Sequence, residues 1–592
     1  MGARDSAAAF RLGDWRVEPA LDLVSRGDEI HHLRPRLMDL LVFMARRQGD
    51  VLSKDEILSE VWRQRFVAES VLSRSIADLR RLLGDEAAQP RVIETIPKRG
   101  YRLIAAVMPQ AQTTVGARPA LAVAVLPFVD MAAGRDQGYF CEGLAEELTN
   151  SLAHVPGLRV VARTSAFAFK DRAVDVREIG RTLGVGFIVE GGVQRAGDRL
   201  RVTVQLIDTA DGCHVWSERF GGAAGDVFSI QDEITSALVS ALPATLPVLN
   251  ASRFRRGATG NPAAHDLYLR GRHLSAQRSP AAMAEALACY ERALAADPDY
   301  AAALAAVAEC HCVSGFTGFA RPSKVFPLGR AAAERALAID PELADAHAAL
   351  GHECGMYEWL WAGAERHFRR ALDLNPGHAL ARVWYSHLLA ASGRFAEAIE
   401  VTERACEVDP LSPTVETTLG LALYHAGEYE RAAACYRRVL EAAPHFALAR
   451  LHLGRVLMLE GRWQEATDQL TQAAHALPLA LGFLAGAWRR IGNADRVAAL
   501  MADLDRLSQR GYVSPLTWYC AWYGEREEQH RWLVRAFDER VGIVPLLNTD
   551  PSMDEWRLDA GFLALLDRLG LPHVPGHRPA AADPHVKEVN TP

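Results

Sequence analysis

The first hundred residues change from one hydrophobic period to another. Apolar and polar residues alternate in FRLGDWRVEP, ALDLVSRG and DEIHHL, and Gly-Asp pairs at 13–14 and 27–28 lie between these segments. This pattern predicts short strands joined by turns. From Pro35 to Gln48 the apolar residues recur at spacings of three and four, which predicts an amphipathic helix with proline in its first turn.

Two more helices and a basic hairpin follow. Ser53 opens the capping-box sequence SKDE, so a second helix is predicted from there to Trp62. A third helix is predicted over Glu69–Leu83, with an apolar stripe opposite a face that carries arginine. The segment VIETIPKRGYRL, Val92–Leu103, predicts two strands joined by a basic turn. This order of elements is typical of a winged helix-turn-helix, whose third helix enters the major groove of DNA.

Residues 10–107 resemble the C-terminal effector domain of OmpR-type response regulators, and ETIPKRGYRL is similar to the CadC/ToxR-like branch. The resemblance implies an OmpR/PhoB-type DNA-binding domain with nine candidate DNA-contacting positions. These are Ser73, Arg74, Ala77, Asp78, Arg80 and Arg81 on the recognition helix, and Thr95, Lys98 and Arg99 on the wing. Asp78 could accept a hydrogen bond from a cytosine amino group, or it could pair with Arg74 or Arg81.

The sequence departs from that family in two respects. Only nine residues precede the predicted domain, so we expect no receiver domain and no switch by aspartate phosphorylation. In addition, no membrane span is predicted after the domain, as one would be in the CadC/ToxR-like branch.

Residues 119–242 predict an α/β module in which strand, helix, strand and helix are followed by three consecutive strands. We expect a mixed sheet with helices on one face. The glycines at 184–186 and 191–192 lead into strands or lie within one, so they do not form the strand–glycine–helix order of a dinucleotide site. The module resembles the TolB-N-terminal-like domain in AVLPF, GVGFIVEGGVQ and VQLIDTADGCHVWSERF. That resemblance implies ligand sensing or protein interaction.

Residues 260–480 contain a repeat marked by prolines. Prolines at 298, 341, 376, 410, 444 and 478 follow one another at intervals of 43, 35, 34, 34 and 34 residues. A period of 34 is the length of the tetratricopeptide repeat (TPR), which predicts an all-α solenoid with small residues where its helices meet. The longer first interval predicts an extended loop at Gly315–Phe326. The solenoid groove is expected to take a peptide or a partner helix, although the array could also serve as a spacer or dimerisation platform.

The chain after the repeats is predicted to continue as TPR-like helices over 481–572, and residues 573–592 are predicted to be a disordered tail. An aromatic group lies within these helices, and we expect it to pack between them. It consists of Trp518, Tyr519, Trp522 and Tyr523.

Charge and cysteine content restrict the chemistry. The net charge is −7, so a DNA-binding site has to be a local basic patch. The nine cysteines have no framework or zinc-ligand spacing, which predicts free thiols in a reducing cytoplasm. No stretch has the apolar density of a membrane span, and we find no catalytic motif, so we expect a soluble protein without a metal or cofactor.

Together these patterns predict a multidomain protein: a winged helix, then an α/β module, then a TPR solenoid. The leading hypothesis is a sequence-specific transcriptional regulator that binds double-stranded DNA as a dimer or oligomer, under the control of its C-terminal half. The alternative is a TPR signalling scaffold without direct operator binding. An enzyme such as a nucleotide cyclase is disfavoured, because the assigned segments fill the chain.

Overall fold

The fold was analysed in a computed structural model of the chain. It describes residues 10–575 except 14, 20–22, 27–28, 63–68, 86–89, 98, 106, 110–120, 132–137, 156, 197–198, 224–226, 243–258, 510–513 and 524. The chain divides into two compact units, Met1–Ala117 and Arg118–Pro592.

The first unit combines a sheet, three helices and a hairpin. Its strands are β1 (Phe10–Leu12), β2 (Trp15–Glu18), β3 (Leu23–Arg26), β4 (Glu29–His32), β5 (Ile93–Ile96), β6 (Gly100–Leu103) and β7 (Val107–Pro109). Its helices are α1 (Pro35–Arg46), α2 (Lys54–Ile57, continued by a π-helical turn over Leu58–Trp62) and α3 (Glu69–Leu83). The antiparallel sheet has the order β4-β3-β2-β1-β7, and β5 pairs with β6 as a separate hairpin.

The predicted strands, helices and wing of this unit are confirmed. Ser53 caps α2 by accepting a hydrogen bond from the backbone N–H of Glu56 at 3.2 Å. The apolar stripe of α3 is buried against α1 and the sheet. The sequence did not predict β7, which follows the wing and pairs with β1, because pairing with a strand about a hundred residues away leaves no local periodicity.

The second unit begins with the α/β module. Its strands are β8 (Ala122–Val125), β9 (Val129–Asp130), β10 (Arg159–Val160), β11 (Phe187–Ala196), β12 (Arg199–Asp208) and β13 (His214–Ala223). Its helices are α4 (Gly138–Ala153), α5 (Arg163–Phe167), α6 (Val176–Leu183) and α7 (Val227–Ala241). The sheet order is β10-β8-β11-β12-β13, with β8 parallel to its two neighbours and β11 to β13 antiparallel.

The prediction that helices cover one face of this sheet is wrong. Along β8, Val123 and Val125 pack under α4 and α7, whereas Ala122 and Ala124 pack under α5 and α6. A run of four buried residues supplies apolar side chains to both faces of a strand, so both faces are covered. The glycines have structural roles: Gly184 ends α6 in the left-handed conformation, and a Cβ on Gly191 would overlap the Phe128 ring.

Helices arranged in antiparallel pairs form the repeat array. They are α8 (Pro262–Ser275), α9 (Pro280–Ala296), α10 (Ala301–Phe316), α11 (Pro322–Ile339), α12 (Ala344–Glu353), α13 (Trp361–Leu374), α14 (Ala379–Ala391), α15 (Phe395–Val408), α16 (Pro413–His425), α17 (Tyr429–Ala442), α18 (Ala447–Leu459) and α19 (Trp463–Ala474). The small residues predicted at the helix contacts lie there. A Cβ on Gly420 would lie 2.4 Å from the Tyr436 ring, and one on Gly454 would lie 2.7 Å from Leu470.

The two irregular intervals have different structural causes. The predicted loop over Gly315–Phe326 is wrong: α10 and α11 are three and four residues longer than α16 and α17, and the turn between them is only two residues longer. In the 35-residue interval, a π-helical turn over Cys354–Glu358 follows α12 and takes up the additional residue before α13.

The remaining helices are α20 (Pro478–Ile491), α21 (Ala494–Gln509), α22 (Pro515–Ala521), α23 (Arg526–Asp538) and α24 (Ala560–Asp567), with 3₁₀ turns at Val544–Asn548 and Pro551–Trp556. The aromatic group packs between them as expected; Trp518, for example, stacks on Trp532 with ring centroids 5.3 Å apart. Most of the predicted tail, residues 576–592, lies outside the described residues. Val574, which we had placed in the tail, lies against Gly393.

The α/β module packs on the first repeat helix through polar and apolar contacts. The Tyr139 hydroxyl of α4 donates to Asp266 at 2.6 Å, and Arg272 Nε donates to Glu146 at 2.9 Å. A Cβ on Gly143 would lie 2.6 Å from Leu269, so α4 and α8 are in close contact.

A second contact joins the module to the turn before α16. The backbone N–H and the hydroxyl of Ser165 donate to Asp409 at 3.0 and 2.5 Å, and the N–H of Ala162 donates to the Val408 carbonyl at 2.9 Å. The module therefore bridges α8 and the turn between α15 and α16.

Candidate nucleic-acid interface

Helix α3 has one buried and one exposed side. Its apolar stripe is fully or almost fully buried and consists of Leu72, Ile76, Leu79 and Leu83. The opposite side is exposed at Ser70, Ser73, Arg74, Ala77 and Arg81. Residues spaced by three or four along a helix share one face, so these side chains form a single polar strip with two arginines.

Seven of the nine predicted DNA-contacting residues have substantial exposed surface. Thr95 and Arg99 of the wing are exposed, like the four α3 residues already placed on the strip. Asp78 is partly exposed and pairs with Arg81 one turn further along α3. Of the two pairing partners considered for Asp78, the structure therefore has Arg81. Lys98 lies outside the described residues.

Arg80 has a different position from the other candidates. Its side chain is only 12% exposed, and its guanidinium donates to the Ile93 carbonyl at 2.6 Å and to the Thr95 hydroxyl at 2.9 Å. It therefore joins the C-terminal end of α3 to the first wing strand. Arg80 therefore positions the wing, and a DNA contact by Arg80 stays a prediction.

Asp85 completes this junction and was not among the residues predicted from the sequence. Its fully buried carboxylate accepts hydrogen bonds from the backbone N–H groups of Arg91, Val92 and Ile93 at 2.6, 3.0 and 2.9 Å, and it lies 3.7 Å from Arg80 Nε. Because each buried N–H needs an acceptor, this one side chain determines where the wing starts. Its position directly after the helix-ending Gly84 was the available sequence signal.

The wing itself is held against the helical core at its turn. Gly100 has φ +132°, and a Cβ there would lie 1.9 Å from the carbonyl oxygen of Leu52, so only glycine fits. Leu52 and Tyr101 exchange backbone hydrogen bonds at 2.9 and 3.0 Å. Across the hairpin, Arg102 pairs with Glu94 at 2.6 Å. The exposed Arg99 is thus carried on a turn whose two ends are fixed.

The second predicted interaction surface, the TPR groove, is partly occupied by the chain itself. The 3₁₀ segment from 544 to 556 lies against the first helices of successive repeats. Asp550 pairs with Arg455 of α18 and accepts from the Tyr424 hydroxyl of α16 at 3.1 Å, and Thr549 bonds to His425 at 3.0 Å. A partner peptide cannot take the positions that this segment occupies on α16 and α18, and a partner elsewhere in the groove stays a prediction.

Within the described residues no helix combines the length and apolar content needed to cross a bilayer. The cysteines are present as free thiols, most of them buried, and burial raises the pKa of Cys310 to about 12.

Family models match three parts of the chain. Residues 27–103 match the family described as "Transcriptional regulatory protein, C terminal". Residues 120–237 match "HilA/YgeH-like transcriptional regulator, second domain", so a TolB-like assignment of this module stays a prediction. Residues 361–419 and 417–480 match "Tetratricopeptide repeat".

Three curated relatives cover different shares of the chain. "Putative adenylate cyclase 3" of Rhizobium meliloti is 39% identical over 185 residues, which are 31% of this chain and 32% of that protein. "Transcriptional activator CadC" of Escherichia coli is 43% identical over 99 residues, 17% of this chain and 19% of that protein. "Transcriptional regulator HilA" of Salmonella typhimurium is 23% identical over 414 residues, 68% of this chain and 71% of that protein.

The chain therefore spans about a third and about a fifth of the first two relatives. Among solved structures, the DNA-binding domain of Escherichia coli CadC is 40% identical and covers 17% of this chain and 96% of its own, with a TM-score of 0.16.

Proposed function

We propose that the chain is a DNA-binding transcriptional regulator whose winged helix reads DNA and whose C-terminal half controls that binding. The observation that carries the proposal is the exposed strip of α3, with Arg74 and Arg81, beside a wing that presents Arg99. The match of residues 27–103 to a transcriptional regulator domain supports it. So does the match of residues 120–237 to the second domain of a regulator.

The strip and the wing have distinct tasks in this proposal. Arg74 and Ala77 face base edges in the major groove, where an arginine recognises guanine and a methyl group contacts thymine. Arg99 binds a backbone phosphate and so fixes the orientation of the domain without reading sequence. Arg81 is paired with Asp78, so contact with DNA requires exchange of that partner for a phosphate or base.

The test is the double substitution Arg74→Gln and Arg99→Gln in the full-length chain. Operator fragments would first be identified by genome-wide footprinting and then used in gel shifts. We expect the double variant to lose at least about a hundredfold in affinity, because each lost charged contact costs about 1.5–3 kcal/mol. The wild-type affinity should also fall steeply as salt concentration rises.

Arg437→Gln provides the matched control, since it removes one positive charge from an exposed position on α17, far along the chain from the winged helix. It should bind as the wild type does. If the double variant still shifted the operator with wild-type affinity, the site assignment would be wrong. A chain that footprinted nowhere but captured partners would instead be the scaffold without operator binding.

We also propose that the protein binds DNA as a dimer or oligomer on repeated half-sites. A single winged helix offers few phosphate and base contacts, and two linked domains gain affinity from their effective concentration. The periodicity of the footprint tests this: protected half-sites should recur about 10–11 base pairs apart or at multiples of that spacing.

A cyclase activity is not part of the proposal. The match to the Rhizobium relative spans only 32% of that protein, so it leaves most of that protein unmatched. Purified full-length chain incubated with ATP and a divalent metal should form no cyclic AMP.

A further inference from the structure

A cavity of about 650 Å³ lies within the second unit, between the α/β module and the repeats. On one side its wall is the segment from Ala153 to Val160, which joins α4 to β10. On the other side it is lined by residues of α13, α14 and α15, of the turn before α14, and of the turn before α12. Its volume is within the range of small-molecule sites in proteins.

Three arginines line this cavity, and two of them have no carboxylate partner among the described residues. Arg159 donates to the backbone carbonyls of Glu407, at 2.7 Å, and Gly184, and it forms no ion pair among the described residues. Arg404 pairs with Glu400 of its own helix at 2.5 Å. Arg382 forms no ion pair in the described part of the chain.

Arg382 is the least satisfied of the three. Its Nη1 is buried and has no hydrogen-bond partner in the described part of the chain. Burial lowers the pKa of Arg382, the nearby charge of Arg404 lowers it further, and Glu407 acts in the opposite direction. A buried donor without an acceptor costs free energy, so the chain holds this guanidinium in an unfavourable state.

The acidic residues of the cavity limit which anions fit. Glu342, Asp373 and Glu407 also line it, and the carboxylate of Glu342 lies 3.4 Å from Arg370. A ligand that is anionic throughout would be repelled there, whereas one with a single oxyanion group and a neutral or cationic remainder would match both ends. Arginine binds carboxylate and phosphate groups through paired hydrogen bonds.

We propose that this cavity binds a small molecule through a carboxylate or phosphate group, with Arg382 as the principal recognition residue. Because the module and the repeats each supply one wall, an occupied cavity joins the two more firmly than an empty one. The ligand is thus placed where it can act as an effector. The binding claim goes beyond the proposed regulatory function and does not depend on it, since it is tested without DNA.

The test uses full-length protein with inorganic phosphate or acetate, which carries a single carboxylate, as probes, and sodium chloride to keep the ionic strength constant. Calorimetric titration and thermal unfolding should show saturable binding and stabilisation by at least one of the two probes. Which probe binds distinguishes a phosphate from a carboxylate ligand. Arg382→Gln should weaken binding by at least about tenfold, the effect of losing one charged hydrogen-bonded contact.

Two further variants keep the result interpretable. Arg437→Gln removes the same charge outside the cavity and should bind the probe as the wild type does. Arg382→Gln removes a partly buried charge that has no ion-pair partner among the described residues, so the ligand-free variant should unfold at the same temperature as the wild type or higher. If Arg382→Gln unfolds at a lower temperature than the wild type, Arg404→Gln takes its place in the binding test. Arg404→Gln should also weaken binding of the probe. Failure of both probes to bind, or wild-type binding by both cavity variants, would overturn the proposal.

Discussion

At the scale of single residues, two side chains hold the junction between α3 and the wing. The sequence indicated a functional role for only one of them. Arg80 was predicted to contact DNA because it lies on the recognition helix, yet its guanidinium bonds to Ile93 and Thr95. Asp85 was not considered, yet it accepts three backbone N–H groups. Helical spacing indicates the face of a residue, but it does not show which other segment approaches that face.

The substitution Asp85→Ala should loosen the wing. It removes a buried carboxylate and no exposed charge. Three buried N–H groups lose their acceptor, and one such loss costs about 1–3 kcal/mol. We expect amide exchange in peptides covering 91–93 to accelerate by at least about tenfold, and operator affinity to fall with it. Hydrogen-exchange mass spectrometry on the full chain measures this.

Asp50→Ala serves as the comparison, because Asp50 is exposed and pairs only with the exposed Arg47 among the described residues. Its exchange pattern over 91–93 should match the wild type. Equal protection in both variants would mean that Asp85 does not organise the hairpin.

At the scale of elements, the repeat helices approach one another where the sequence has glycine or alanine. The 34-residue period predicted these positions, and the contact of Gly420 with Tyr436 confirms them. The period could not show how the irregular intervals are built, because a longer interval can be taken up by a loop, by longer helices or by a π-helical turn. Burial of Phe326 against Gly315 favours the longer helices in the first case.

Gly420→Ala should destabilise the array even though alanine is the better helix former. The added Cβ would lie 2.4 Å from the Tyr436 ring, and overpacking of this kind costs about 1–3 kcal/mol. Gly363→Ala is the matched variant, since its Cβ would have no neighbour closer than 3.9 Å. It should gain up to about 1 kcal/mol from helix propensity. Urea unfolding followed by circular dichroism should therefore shift in opposite directions for the two variants.

At the scale of the whole molecule, segments distant in sequence occupy surfaces that the sequence leaves open. The segment from 544 to 556 lies on α16 and α18, and the α/β module bridges α8 and the turn before α16. Each contact has a buried carboxylate at its centre: Asp550 in the first and Asp409 in the second. Both contacts therefore combine buried charged and hydroxyl groups with apolar packing, such as that of Leu546 in the core of the repeats.

The Asp550 carboxylate makes docking of this segment depend on pH. Burial alone would raise its pKa, but the charges of Arg455 and His425 and hydrogen bonds from Ser552 lower it to about 2, from an ordinary value of 3.8. Because the folded-state pKa is the lower one, the carboxylate stabilises the fold fully above about pH 4 and loses this contribution as the pH falls towards about 2.

Asp550→Asn should consequently unfold at lower urea concentration near neutral pH, since it leaves Arg455 buried without its partner, a loss that costs about 3–5 kcal/mol. The difference from the wild type should narrow below about pH 4. Asp468→Asn, an exposed position on α19, should follow the wild type throughout. A difference between Asp550→Asn and the wild type that stayed constant down to about pH 3 would contradict this origin of the acid sensitivity.

The amino-acid sequence by itself determined the elements whose signals are local. Helical periods, a capping box, a basic hairpin and a 34-residue repeat each lie within a few turns of chain, so α3, the wing and the repeat helices could be predicted with their exposed faces. Tertiary structure alone decided which surfaces remain available. It turned Arg80 inward, placed β7 beside β1 and filled part of the TPR groove with residues from 544 to 556. These outcomes depend on contacts between segments far apart in the chain, where burial and charge pairing select the partner and no local pattern records the choice.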